Sequence, residues 1–223
     1  MRRHYRLKIE TVIFDLDGTL LDTTEGVLES AIFAVHKMGY SELPYNTMLE
    51  FVGPPIQNSF IQHYGCTKDE AQIAANIFRD YYMSYALLKA QPYDGIYEVC
   101  EQLYRAGKKM AVATYKREDY AITLLKHFGF DKYFDVMHGA DNDNRLTKTD
   151  IVNLCLDETY SKPQNSVLVG DTQHDAEGAK RSNIQFIAVT YGFGFKSVEQ
   201  TKMYLCYGVA SAPKEISKII LGK

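Results

Sequence analysis

The chain has 223 residues, with 25 Lys and Arg against 28 Asp and Glu, and so a formal net charge of −3. An apolar share of 46% beside 24% charged residues is ordinary for a soluble globular protein and argues against a disordered, collagen-like or polybasic chain. The length corresponds to one or two domains, and a balance this near neutrality provides no long-range field for nucleic acid or an anionic membrane.

In chain order, a basic start (Arg2, Arg3, Arg6, Lys8) leads into an apolar run from Ile9 to Phe14 that Glu10 interrupts. That run is too short for a signal-peptide core or a membrane span. Thr11 to Phe14 is β-branched and apolar, and predicts a strand that breaks at Asp15-Leu-Asp-Gly-Thr19. From Thr24, Val27, Ala31, Ile32, Val35 and Met38 follow helical spacing and stop at Gly39. Phe51-Val-Gly-Pro-Pro55 reads as a rigid turn. A second helix begins at Thr67, with Glu70 completing a capping box, and Ile73, Ala74, Ile77, Phe78, Tyr81 and Tyr85 form its predicted apolar stripe. Tyr81, Tyr82 and Tyr85 are read as packing residues.

From Pro92 the pattern changes. A helix from Ile96 to Arg105 ends at Gly107, and Met110 to Ala113 predicts a strand ending at Thr114. A helix from Glu118 to Phe128 ends at Gly129, Phe134 to Met137 predicts a short strand, and a helix after Lys148 carries Ile151, Val152, Leu154 and Cys155. Ser166 to Val169 is a buried strand ending at Gly170-Asp171, and Phe186 to Val189 is another. Alternating buried strands and amphipathic helices predict an α/β fold: a doubly wound, Rossmann-like parallel sheet covered on both faces. The helical stretch has no predicted strand, so the expected division is an α/β core of residues 1–22 and 92–223 with a small α-helical insertion of residues 23–91. Cys66, Cys100, Cys155 and Cys206 lie far apart without a Cys-x-x-Cys pair, and read as reduced, mostly buried thiols of a cytoplasmic protein.

Ligands of open α/β sheets collect beyond the carboxyl ends of the strands. Asp15 and Asp17 end the first strand, Thr114 ends the second, and Asp171 and Asp175 follow the Ser166–Val169 strand, while Lys148 precedes a helix between them. Carboxylates converging there repel one another, each close pair by about 4 kcal/mol at an effective dielectric near 20. A hard divalent cation with oxygen ligands, Mg²⁺ above all, relieves that repulsion. A threonine hydroxyl, a lysine and carboxylate-bound Mg²⁺ together make a receptor for a phosphoryl group. One carboxylate is then able to attack phosphorus, and its neighbour to protonate the leaving oxygen and later activate water.

Asp15-x-Asp-Gly-Thr19 after an apolar strand, then Leu20-Leu-Asp-Thr23, resembles the haloacid dehalogenase superfamily, more narrowly its phosphoglycolate-phosphatase-like members with an inserted helical cap. The resemblance spans nearly the whole chain, through Thr114, Lys148 and Gly170-Asp171-Thr-x-x-Asp175. It implies a phosphomonoester hydrolase acting on a small phosphorylated metabolite through an aspartyl-phosphate. In it Asp15 is the nucleophile and a metal ligand, Asp17 the general acid/base with its backbone carbonyl on the metal, Asp171 a direct ligand, and Asp175 a ligand either directly or through water. Lys148 neutralises the phosphoryl oxygens and orients Asp15, and Gly18, Thr114 and Tyr115 join it at the phosphoryl group. The chain departs from the common pattern at Tyr115 and Lys116, where Asn often follows the second-motif residue, and at Thr149, where Pro often follows the lysine. Arg145 competes for the role of Lys148.

Several readings stand beside this one. His174 is read as a loop residue rather than a ligand, since Mg²⁺ prefers oxygen, and His36, His63, His127 and His138 as structural. Gly53-Pro54-Pro55 is either a plain turn or a loop that helps to choose substrate. Lys68, Arg79 and Lys89 are the inserted segment's candidates for gripping a substrate carboxylate. The alternatives are a phosphomutase of the β-phosphoglucomutase type, a 5'-nucleotidase, or a phosphometabolite-binding regulatory protein; Asp17 and Asp171 argue against a dehalogenase. The expected partner is a small phosphate ester, with no nucleic acid and no membrane, and the expected state is a monomer or homodimer.

Overall fold

A computed structural model describes residues 8–141 and 145–222. The chain divides into two compact units, Met1–Leu20 with Pro92–Lys223, and Leu21–Gln91. β1 (Thr11–Phe14) belongs to the first and is buried along its whole length, as a strand covered on both faces must be.

The Leu21–Gln91 unit is mainly helical. After β2 (Leu21–Asp22) comes α1 (Thr24–Lys37), whose first amide donates to Asp22 Oδ1 at 3.0 Å. α2 (Tyr45–Met48) is short, and α3 (Ile56–Tyr64) follows Pro55 and ends at Gly65, at φ +66°. The Pro-Pro sequence read as a turn is therefore also a helix start, with Pro55 as the residue before the first turn and its carbonyl accepting the Asn58 amide at 2.9 Å. α4 (Lys68–Tyr81) opens with the predicted Thr67–Glu70 capping box. Its buried face differs from the predicted stripe. Ala71, Ala74, Ala75 and Phe78 face inward, whereas Ile73 is 54% and Tyr85 70% exposed. Alanines permit a close approach by neighbouring backbone, and a wide turn over Tyr82–Ala86 then rotates Tyr85 outward and Tyr82 inward. A Cβ on Gly26 would stand 2.3 Å from the Ala86 carbonyl oxygen, so α1 and this turn meet backbone to backbone. Where a strandless segment was expected, β2 pairs with β3 (Gln91–Pro92).

The rest of the chain completes the α/β unit. α5 (Ile96–Arg105) leads to β4 (Lys109–Arg117), α6 (Glu118–His127) to β5 (Val136–Ala140), and α7 (Lys148–Glu158) to β6 (Ser166–Gly170). α8 (Gln173–Arg181), β7 (Gln185–Val189), α9 (Val198–Thr201), β8 (Gly208–Ala210) and α10 (Pro213–Leu221) follow. Among the described residues the sheet has six strands in the order β5-β4-β1-β6-β7-β8, every recorded pair parallel. The doubly wound expectation holds, with β8 and α10 added beyond it. None of the described helices is long and apolar enough to cross a membrane. Cys66, Cys100 and Cys155 are buried free thiols and Cys206 is partly buried; burial pushes the Cys100 and Cys155 thiols up to about 12.

Register decides what meets at the sheet's carboxyl edge. Phe14 lies level with both Val112 of β4 and Val169 of β6. One step further on, the same three strands deliver Asp15, Ala113 and Gly170, and the next step delivers Thr114 and Asp171. β4 does not end at Thr114, as its apolar run predicts. It continues to Arg117 through an irregularity, since its partners jump from Ala113↔His138 to Arg117↔Ala140. Gly139 makes that path possible, because a Cβ there would stand 2.5 Å from the Lys116 carbonyl oxygen.

Candidate active site

Asp15 leaves β1 with its amide still in the ladder, donating to the Val169 carbonyl at 2.9 Å. The chain then turns at once: the Leu20 amide reaches back to the Leu16 carbonyl at 2.9 Å, and Gly18 takes φ +81°. A side chain on Gly18 would be strained by that backbone and would also place its Cβ 2.4 Å from Asp171 Oδ2. The glycine thus lets the β1 turn close against β6.

Asp171 is fully buried. Its Oδ2 accepts the amides of Phe193 (2.7 Å) and Gly194 (2.9 Å), and its carbonyl accepts that of Phe195 (2.7 Å). Its Oδ1 has no hydrogen-bond partner among the described residues. Asp175 is the third residue of α8: its Oδ2 takes the Thr172 amide (3.0 Å) and hydroxyl (2.6 Å) in a capping box, while its Oδ1 lies 2.7 Å from Lys148 Nζ. The helix-cap reading and the site reading of Asp175 are therefore both satisfied by one carboxylate.

Lys148 begins α7, and its amide donates to the Tyr115 hydroxyl at 3.0 Å. Its stem runs past Gly178 of α8, where a Cβ would crowd Cγ at 2.8 Å. Its ammonium reaches Asp15 Oδ1 at 2.6 Å as well as Asp175. Arg145, the competitor, is exposed and pairs with Asp141 at 3.8 Å, so the buried cation is Lys148. Thr114 is buried and its Oγ1 accepts the Lys116 amide at 3.1 Å. A hydroxyl occupied as an acceptor in this way keeps its own proton to donate. His174 packs edge-on against the Tyr115 ring, 5.4 Å between centroids, and is absent from the carboxylate cluster.

That cluster is Asp15, Asp171 and Asp175, whose ligand atoms lie within 4.8 Å of one another. Three buried carboxylates face one ammonium. Burial, then Asp175, raise Asp171 to about 7 against the backbone amides that hold its charge. Burial first, with Asp175 and Asp171 adding to it, pushes Asp15 well above the usual carboxylate range although Lys148 opposes the shift. Burial works against the Lys148 charge as well, but the two carboxylates outweigh it and hold its pKa above the ordinary value. A cluster this short of positive charge, with a buried carboxylate oxygen unpartnered, is able to hold a metal ion. Asp17 stands outside the cluster with its carboxylate 3.1 Å from Lys116 Nζ.

Lys116 and the Gly192-Phe193-Gly194 loop were missed by motif reading. The loop's signal was two glycines flanking one residue after a buried strand. Its need for glycine is steric: a Cβ on Gly192 would lie 2.2 Å from the Gly18 carbonyl oxygen and 2.6 Å from Asp171 Oδ2. Gly192→Ala is expected to cost about 2 kcal/mol of stability, lowering the thermal midpoint by about 4–8 °C; calorimetry of variant and parent checks it.

An α/β sheet with a buried aspartate cluster, a lysine and a threonine at its carboxyl edge defines a hydrolase that handles phosphoryl groups. The chain belongs to the haloacid dehalogenase-like hydrolase family, whose sequence model matches residues 12–189, and it is a phosphatase of that family. It is 34% identical over 193 residues to a 5'-nucleotidase of Pseudomonas aeruginosa, covering 86% of this chain and 87% of the relative. A crystal structure of a predicted phosphatase from Clostridium acetobutylicum is 32% identical with a TM-score of 0.89, over 96% of this chain and all of that one. The chain is also 34% identical over 187 residues to the tyrosine-protein kinase PtkA of Mycobacterium tuberculosis, covering 83% of itself and 63% of that protein.

Proposed function

We propose that this chain is an Mg²⁺-dependent phosphomonoester hydrolase for a small phosphorylated metabolite, working through an aspartyl-phosphate on Asp15. The observation that carries the reading is the buried Asp15 carboxylate held at 2.6 Å by Lys148 beside Asp171 and Asp175. Asp15, Asp171 and Asp175 would hold Mg²⁺ through carboxylate oxygens, with the Asp17 backbone carbonyl as a further ligand. When bound, the ion supplies charge that offsets the carboxylates and the phosphoryl oxygens. Thr114 donates its hydroxyl proton to a phosphoryl oxygen, with Gly18 and Tyr115 completing the pocket around that group. Tyr115 fixes the start of α7 and through it Lys148, which aims Asp15 and neutralises developing charge. Asp15 attacks phosphorus, Asp17 protonates the leaving alcohol, and the same carboxylate then takes a proton from the water that hydrolyses the acyl phosphate. The inserted unit, residues 23–91 in the sequence reading, acts as a cap that selects the ester.

For the substrate, a phosphoglycolate-type ester is the first expectation from sequence, and a nucleoside monophosphate is the second reading. Two observations favour the second: the named activity of the Pseudomonas relative, and the lining of a cavity of about 560 Å³ within the inserted unit. Asp22, Glu25, Glu29, Leu28, Ile32 and Tyr45 line that cavity, and Lys89 is paired with Glu29. Carboxylates beside an aromatic ring suit a donor-bearing planar group better than a second carboxylate.

A panel of metabolite esters assayed for phosphate release with Mg²⁺ tests the reading. Chelation is expected to remove activity and added Mg²⁺ to restore it. Full turnover in chelator sinks the metal assignment, and isomerisation outpacing phosphate release favours a phosphomutase.

A further inference from the structure

The ion pair between Lys116 and Asp17 lies in a place where stability alone does not account for it. The two side chains are only 8% and 16% exposed, with Nζ 3.1 Å from Oδ1. Largely buried pairs gain little net stability, because desolvation offsets most of the Coulomb attraction. The structure nevertheless invests in fixing this lysine. Its amide donates to Thr114 Oγ1 at 3.1 Å, and its carbonyl sits where β5 has a glycine, Gly139, instead of a side chain. The irregular stretch of β4 between Ala113 and Arg117 thereby carries Lys116 to the sheet's carboxyl edge, where Asp17 follows β1. Asp17 is held by a turn that ends in the conformationally free Gly18, so its carboxylate gains a defined position from a partner anchored on the neighbouring strand.

The geometry points to Lys116 as the positioning residue of Asp17: it aims that carboxyl at the leaving oxygen of the ester. The inference rests on Asp17 acting as the acid/base, and it adds a residue whose effect is confined to the steps in which Asp17 moves a proton. An ester whose alcohol departs readily as an anion does not need that proton; an ester of a basic alcohol does. A lysine that gripped the phosphoryl group instead would matter equally to both.

Three esters with similar aromatic bodies separate these roles: p-nitrophenyl, phenyl and benzyl phosphate, in order of rising leaving-group basicity. The readout is kcat/KM, which ends at transfer of the phosphoryl group to Asp15 and so is blind to the later hydrolysis. Lys116→Met is expected to lower it about 100-fold on benzyl phosphate and less than about tenfold on p-nitrophenyl phosphate, within the range for proton-transfer catalysis. Lys116→Arg is expected to recover most of the benzyl phosphate loss. Asp17→Asn, measured alongside, should show the same dependence on leaving group. Equal losses on all three esters, or none, in Lys116→Met overturn the positioning role while Asp17→Asn still shows the split. No split in Asp17→Asn overturns the acid/base reading of Asp17, and the role of Lys116 with it. Far-ultraviolet circular dichroism and the thermal midpoint of each variant show whether a uniform loss comes from unfolding, in which case the Lys116→Arg profile decides.

Discussion

Asp15→Asn is expected to lower turnover by at least about 10⁴-fold, the scale seen when an acting nucleophile is removed, while leaving the fold in place. The amide is isosteric with the carboxylate and its oxygen still accepts from Lys148, which also keeps Asp175 at 2.7 Å. On the proposed mechanism, what disappears is the anion that attacks phosphorus. The metal-free variant should also be no less stable than the parent at pH 8, because one of three mutually repelling carboxylates within 4.8 Å has become neutral. Steady-state phosphate release on p-nitrophenyl phosphate with Mg²⁺, beside thermal midpoints of both chelator-treated proteins, checks the two halves. Parental turnover in the variant would remove Asp15 from the nucleophile's role. A large fall in midpoint would assign the lost activity to folding.

The parts of the fold legible in the sequence were those in which one face or both must be apolar. β1, β6 and β7 announced themselves as short continuous apolar runs, and the Thr67–Glu70 capping box marked the start of α4 to the residue. Other elements left weaker traces. β8 is three residues with two of them only partly buried, so no run forms. α3 lay hidden behind a Pro-Pro pair that also signals a turn. The stripe on α4 was misread because hydropathy weights isoleucine above alanine, whereas close packing prefers the smaller side chain; Ala71, Ala74 and Ala75 are buried and Ile73 is not.

The candidate site followed a similar division. Asp15, Lys148, Asp171 and Asp175 come together within hydrogen-bond or ligand distance, and their order along the chain was readable because each follows a strand or begins a helix. Tyr115 was read as a contact for substrate; its hydroxyl also accepts the first amide of α7, one of the donors that a helix leaves unpaired at its start, and keeps its own proton to donate. Lys116 and the Gly192–Gly194 loop owe their places to tertiary structure. Their roles depend on a bulge in β4 and on packing that leaves no room for a Cβ at Gly139 or Gly192; Lys116 carries no residue-type signature, and the loop only its paired glycines.

Lys148→Met is expected to cost turnover about 10³-fold and stability about 3–5 kcal/mol near neutral pH, since it removes one partner of a buried ion pair and strands the other charges. The sign of its pH dependence follows from the acids. In the metal-free protein Asp171 is raised from 3.8 to about 7, chiefly by burial and then by Asp175. An acid with a higher pKa in the folded state binds more protons there than in the unfolded chain. Its contribution to stability is therefore fully present below about 4 and is lost as pH rises through about 7. Lys148, raised rather than lowered by Asp15 and Asp175, stays charged across that window and offsets the carboxylates as they ionise. Without it the loss should steepen: the midpoint gap between variant and parent is expected to be small at pH 5 and largest at pH 8. Mg²⁺ should narrow the gap at pH 8, because a cation in the cluster would replace part of the missing charge, without returning the turnover that, on the proposed mechanism, depends on aiming Asp15. Thermal melts of chelator-treated and Mg²⁺-loaded proteins from pH 5 to 8 test this. A gap independent of pH would mean that Lys148 supports the fold through its aliphatic stem alone.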